Sequence, residues 1–226
     1  MGNRAVITTL ENYNNNGVGV YLHWNGGRDS VEAFLEYMKL KGHRPPDEDC
    51  YGWARLCQVI GNFFGGTTSI GIDTVNHLYT NNYDNGTYII RGWDIVDRKD
   101  FNGTEQNQYL MSDMLKTIDE RQPKDEQLGV DFLEAEVVRT KELEVGDEIF
   151  MYDGSGHVFR YTILGFGNGS INGEDVTGVP YVCYCSEGNP ASNINNYLRE
   201  RYYRLAHSCD LNDLNSLLGI DGDTNG

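Results

Sequence analysis

Long apolar runs are missing from this chain of 226 residues: no stretch approaches the roughly 20 consecutive residues that a helix needs to span a bilayer. Met1 to Thr9 also lacks the apolar core of an export signal, so the expected location is the cytoplasm, with no membrane partner. Basic residues are scarce. With 18 Lys and Arg against 34 Asp and Glu the net charge is −16, a balance that repels phosphate backbones and attracts cationic partners; direct nucleic-acid binding is disfavoured on this ground and no nucleic-acid partner is expected. Cysteine is sparse and odd in number, five in all, and thiols stay reduced in the cytosol, so no disulfide framework is expected.

The usual catalytic signatures are absent as well. The chain has no Gly-x-Ser-x-Gly elbow, no His-Glu-x-x-His pair and no Cys-x-x-Cys. Gly61–Thr68 has the glycine spacing of a phosphate-binding loop, but Thr67 stands where that loop needs lysine, so a P-loop NTPase is rejected. The tail Asp221–Gly226 opens like an EF-hand and stops before its later ligands, which leaves a solvated acidic tail. Cys50 with Cys57 and Cys183 with Cys185 form two same-face pairs that read as small buried hydrophobes rather than a metal site. No metal or cofactor is implied.

What is present reads as an α+β chain of two parts: an N-terminal mixed α/β unit, residues 1–122, with two core helices on a small sheet, and a small β-barrel-like or twisted-sheet module, residues 130–226, with C-terminal helices. A strand over Arg4–Thr9 and a hairpin partner over Val18–Trp24, with Val18, Val20, Leu22 and Trp24 on one face, open the first part. Asp29 and Glu32 have the spacing of a capping box for a helix whose Val31, Phe34, Leu35 and Met38 form an apolar stripe. A second helix is expected from Asp47, with three acids at its positive end and Trp53, Leu56, Val59, Ile60 and Phe63 buried. Strands follow at Ile70–Ile72 and Thr87–Val96, then a helix over Gln108–Arg121, and Pro123–Glu126 marks the joint.

The second part shows strand-like runs at Glu136–Arg139, Glu148–Tyr152, His157–Gly165 and Pro180–Cys185, closed by helices over Ile194–Ala206 and Leu211–Leu218. Tyr197, Tyr202, Tyr203, Arg199, Arg201 and Arg204 on the first of these are expected to pair with the acidic middle of the chain. The Asn-Gly sequons at Asn85, Asn102 and Asn168 read as turns. His23 and His77, the latter near Asp73 and Asp84, read as hydrogen-bonded structural residues.

Two features carry functional readings. The first is charge: residues 94–148 hold 16 acids against 7 bases, most of the chain's excess, and the candidate protein-binding carboxylates are Asp94, Asp97, Asp119, Glu120, Asp125, Glu126, Glu134, Glu136, Glu142, Glu144, Asp147 and Glu148. The second is the run His23-Trp24-Asn25-Gly26-Gly27-Arg28-Asp29-Ser30, a strand, a glycine turn and a helix start. Such a turn offers backbone donors to an anion, here with His23, Asn25, Gly26, Gly27, Arg28 and Ser30 as ligand-binding residues. Its structural alternative is a tight turn in which Asp29 caps the helix.

The segments Asn3–Thr8, Gly19–Gly27 and Ala54–Gly66 resemble uncharacterised proteins encoded by bacteriophages and integrated mobile elements. The likeness covers about the first 95 residues and implies context without activity. The leading expectation is therefore a non-enzymatic acidic binding protein, a phage accessory factor that inhibits a basic nucleic-acid-handling host protein by offering carboxylates where phosphates would bind. The alternative is a phosphorylated small molecule or nucleotide, held or hydrolysed at His23–Asp29.

Overall fold

The structure, a computed structural model, describes residues 2–66, 69–105, 107–135, 137–139, 142–152, 158–171, 174–186, 189–190, 196–197 and 202–207. The chain is of the α+β class and divides into a unit of Met1–Gly129 and a unit of Val130–Gly226. The second unit begins at residue 130, the expected start of the second part, and the joint at Pro123–Glu126 stays with the first unit. The reason is Asp119, whose carboxylate accepts the backbone N–H groups of Leu128 and Gly129 at 2.7 and 2.9 Å and ties that segment to the first unit.

In the first unit, β1 (Ala5–Thr9) and β2 (Val18–Leu22) pair antiparallel, but a helix, α1 (Leu10–Asn15), joins them where a turn was expected. Thr9 Oγ1 accepts the Asn12 N–H to start α1, and Asn16 ends it in the left-handed region at φ 55°. The expected strand over Thr87–Val96 is two, β4 (Thr87–Arg91) and β5 (Asp94–Lys99), folded back at Gly92 with φ 59°. With β3 (Ile70–Thr74) the order is β3-β2-β1-β4-β5, all antiparallel except β1 with β4.

Helices α2 (Arg28–Leu40), α3 (Tyr51–Phe63) and α4 (Met111–Glu120) pack on one another and on this sheet. Their stripes are those of the 3.6-residue period: Val31, Phe34, Leu35, Met38, Leu56, Ile60 and Ile118 are all essentially without solvent contact. Helix α3 starts four residues later than its acids imply. Pro45 O accepts the N–H groups of Glu48 and Asp49, Asp47 reaches the Gly92 N–H, and Asp49 takes the Tyr51 N–H, so these acids serve the loop and the first turn of α3 holds none. The apolar alternation of β2 holds for Val20 and Leu22, whereas Trp24 lies past the strand end and is 45% exposed.

The second unit is a sheet of seven strands. Its strands are β6 (Val137–Arg139), β7 (Glu148–Tyr152), a long hairpin of β8 (Val158–Ile171) and β9 (Glu174–Ser186), β10 (Asn189–Pro190), β11 (Asn196–Tyr197) and β12 (Tyr202–His207). The order β10-β9-β8-β7-β12-β6 ends on different strands, and β11 adds to β9, so no closed barrel forms among the described residues. The expected helix over Ile194–Ala206 is corrected: β12 lies between β6 and β7, where its backbone groups pair on both sides, and the β-favouring Tyr202 and Tyr203 sit in that ladder. A short helix, α5 (Val130–Glu134), precedes the sheet, and Leu211–Leu218 and Asp221–Gly226 lie outside the described residues.

Candidate functional site

The turn His23–Ser30 is built by its glycines. A Cβ on Gly26 would sit 2.7 Å from the backbone of Asn3, Arg4 and Ala5, so the strand end can turn under β1 only with glycine there. The Gly26 N–H donates to Asn3 O at 2.8 Å, and Gly26 O accepts the buried Tyr88 hydroxyl. Asn25 takes φ 53°, and its Nδ2 donates to Ser30 Oγ at 3.4 Å.

The cap of α2 differs from the capping box expected of Asp29 and Glu32. Gly27 is the N-cap, with no side-chain cap bond. Asp29 stands inside the first turn, where Oδ1 accepts the Ser30 N–H at 2.7 Å and Oδ2 accepts the N–H groups of Gln108 and Tyr109 at 2.6 and 2.9 Å. Arg28 pairs with Glu32, 2.7 Å away along the helix surface. The positive end of α2 thus already faces a carboxylate of the chain, and Arg28 already has one as partner. His23, Asn25, Gly26, Gly27, Arg28 and Ser30 are together in space, but the N–H groups of Gly26 and Ser30 are engaged internally.

The twelve candidate carboxylates are divided between the two units and take different local roles within each. Asp94, Asp97, Asp119, Glu120, Asp125 and Glu126 belong to the first unit, and Glu134, Glu142, Glu144, Asp147 and Glu148 to the second; Glu136 lies outside the described residues. Two of them are buried turn and packing groups. Asp119 accepts from Tyr37, Leu128 and Gly129, and Asp147 Oδ2 accepts the Glu144 N–H at 2.8 Å ahead of β7. Others face cations: Asp97 pairs with Lys99 at 2.5 Å, Glu126 with the buried Lys41 at 3.2 Å, and Glu148 lies 3.9 Å from Arg160. Glu120, Asp125, Glu134, Glu142 and Glu144 are exposed. Asp97 with Lys99 and Asp147 with the Glu144 N–H are local pairings, whereas Asp119 with Tyr37, Glu126 with Lys41 and Glu148 with Arg160 join distant segments and leave no sign in sequence spacing.

A groove of about 230 Å³ opens where α2, α4 and the β4–β5 turn meet. Leu35, Trp93, Ile95 and Met111 supply its apolar lining, and Glu32, Glu36, Asp94 and Lys39 its charged one. Trp93 is locked by its indole N–H, which donates to His43 O at 2.6 Å. Lys39 lies 2.5 Å from Asp94 and 3.5 Å from Glu36; burial works against its charge, yet these two carboxylates outweigh that and hold its pKa above the ordinary lysine range. Exposed Leu110 adjoins Met111 at the start of α4. Of the expected acidic site only Asp94 belongs here; Glu32, Glu36, Trp93 and Met111 had been read only as parts of helices and strands.

No group of three or more His, Cys, Asp or Glu able to hold a metal occurs among the described residues. Cys50 is exposed at the start of α3, while burial pushes the Cys57 thiol up to about 11, away from nucleophilic use. His77 Nδ1 lies 3.4 Å from Asp73, with Asp84 placed elsewhere on Arg4. Arg204 donates to Phe132 O at 3.0 Å and stacks on the Phe132 ring, a backbone pairing in place of the acidic one expected. No helix among the described residues is long and apolar enough to cross a membrane. The chain matches no family model, no curated protein and no solved structure.

Proposed function

We propose that the chain is a non-enzymatic acidic binding protein that takes a basic segment of a partner protein into the groove between α2, α4 and β5. The observation that carries this reading is the composition of the groove: three carboxylates stand around Leu35, Trp93, Ile95 and Met111, Glu32 paired with Arg28 and Glu36 and Asp94 sharing the single charge of Lys39, which leaves the lining net acidic. An arginine or lysine stem packs on such a floor while its charged head meets the rim. The net charge of −16 steers a cationic partner toward the protein from a distance.

In the phage context that the N-terminal resemblance implies, the partner is a basic nucleic-acid-handling host protein and the chain an accessory inhibitor of it. The groove replaces the dispersed carboxylates of the sequence reading as the place of contact. The anion reading at His23–Ser30 has less support, since Asp29 already takes the Ser30 N–H and Glu32 already pairs with Arg28.

Co-purification from the native host followed by a salt titration tests the proposal. A complex whose affinity falls steeply with ionic strength, and which is lost in the Glu36→Lys, Asp94→Lys double variant, is expected. A complex indifferent to salt, or retained by the double variant, overturns it.

A further inference from the structure

A second surface of the first unit carries a line of exposed aromatic rings that nothing in the groove explains. Tyr83 is 79% exposed and Tyr79 49%, with ring centroids 6.2 Å apart; Arg4 stands 6.0 Å from the Tyr79 ring. Half-buried Tyr21 shares an electrostatic neighbourhood with Arg4, Asp84 and Tyr79, its ring lies 6.4 Å from that of His23, and His23 meets the edge of exposed Trp24 at 4.9 Å. These rings offer apolar faces to solvent, and covering them with a ligand is favourable in water.

The loops that hold them are ordered by internal bonds. Asn82 is buried; its Oδ1 accepts the N–H groups of Asp84 and Gly86, and its Nδ2 donates to Gly86 O at 3.0 Å. This turn forces Tyr83 to φ 56°, a left-handed conformation that a bulky side chain rarely adopts, with its ring in solvent. On the other side Asn25, next to Trp24, is left-handed as well. The backbone that carries Tyr83 and Trp24 is therefore set before any ligand arrives.

Charge narrows the ligand class. Arg4 Nε and Asp84 Oδ2 meet at 2.6 Å in the middle of the line; burial works to raise the Asp84 carboxyl, but its bonds to Arg4 outweigh that and hold it below the ordinary range. The pair makes the line locally neutral. A polyanion such as nucleic acid is repelled by the whole protein, and a cation stacking on Tyr79 meets the Arg4 guanidinium first. A neutral polyhydroxylated chain meets neither obstacle. Its C–H faces rest on aromatic faces, and its hydroxyls exchange hydrogen bonds with phenol, imidazole, carboxylate and guanidinium groups. We propose that Tyr83, Tyr79, Arg4–Asp84, Tyr21, His23 and Trp24 form a binding site for a neutral oligosaccharide.

The test uses the full chain and neutral hexasaccharides of glucose and of N-acetylglucosamine, read by calorimetry and by tryptophan emission, with Trp24→Ala separating the contribution of Trp24 from those of Trp53 and Trp93. Binding with a shifted emission is expected, together with a loss of about tenfold or more in Tyr83→Gly and in Trp24→Ala. Tyr83→Gly accepts the left-handed backbone more readily than tyrosine, so it removes the ring while keeping the fold. Glu36→Lys, in the groove, leaves saccharide binding unchanged. No binding of either hexasaccharide, binding that survives both ring substitutions, or capture through these rings of a basic peptide or an RNA oligomer instead would overturn the proposal.

Discussion

The Tyr37 hydroxyl, on α2, donates to Oδ1 of Asp119, on α4, at 2.6 Å, with both residues buried. The same carboxylate takes the Leu128 and Gly129 N–H groups, so one side chain holds two helices and the end of the unit together. Buried acceptors of this kind are structural: their removal leaves donors without water or partner.

Asp119→Ala is accordingly expected to cost about 3 kcal/mol, because two backbone donors and a phenol lose their partner at once. Tyr37→Phe removes one bond to a charged group and costs about 1.5 kcal/mol. Urea denaturation of the two variants, followed by far-UV circular dichroism, checks both the direction and the order.

Two glycines move stability in opposite directions. Gly26→Ala drives a methyl into the backbone of Asn3–Ala5, and a loss of about 2–4 kcal/mol is expected. Gly61, within α3, has open space around its missing side chain, so Gly61→Ala gains about 0.5–1 kcal/mol through helix propensity and a less flexible unfolded chain. Thermal melts of the pair against the parent read the sign of each.

Acid acts through His43. Burial first, then the positive charges of Arg55 and Lys41, lower its pKa from 6.5 to about 4, while Glu126 pulls weakly the other way. The unfolded chain therefore binds the His43 proton at a higher pH than the folded one. This contribution is fully present above pH 6.5, falls as the pH drops from 6.5 to about 4, and levels off below that. Denaturation midpoints at several pH values in that window are expected to fall less steeply in His43→Gln than in the parent.

Thiol chemistry separates the two cysteines around α3. Cys50 is exposed and alkylates readily at pH 8, whereas the Cys57 thiol, pushed up to about 11 by burial, stays protonated and shielded. Peptide mapping after brief iodoacetamide treatment is expected to find Cys50 modified and Cys57 intact, with Cys57 reacting once denaturant is added.

Periodicity in the residues was enough to locate the stripes of α2, α3 and α4 and the strands β1 and β2, since burial of every third or fourth side chain, or every second, follows from helix and strand geometry alone. The order of helical and strand-like patterns likewise pointed to the α+β class, and composition gave the sign of the net charge. The strand ending at Gly26 was legible because backbone geometry demands glycine there, whereas the lone Gly92 inside an apolar run did not disclose the fold-back between β4 and β5. Local pattern failed where partners came from afar: β12 looked helical until β6 and β7 bonded it on both sides, and the Asp29 carboxylate left its expected cap for the Gln108–Tyr109 backbone.

The acidic segment shows the same division most clearly. Its excess of carboxylates is an additive property of the residues and is read directly from them. Whether a given carboxylate is a buried acceptor like Asp119, a partner like Glu126 beside Lys41, or a groove lining like Asp94 depends on atoms brought close by folding. Hydrogen bonds and ion pairs act over a few ångströms in three dimensions, and the number of residues between two groups along the chain says little about that distance.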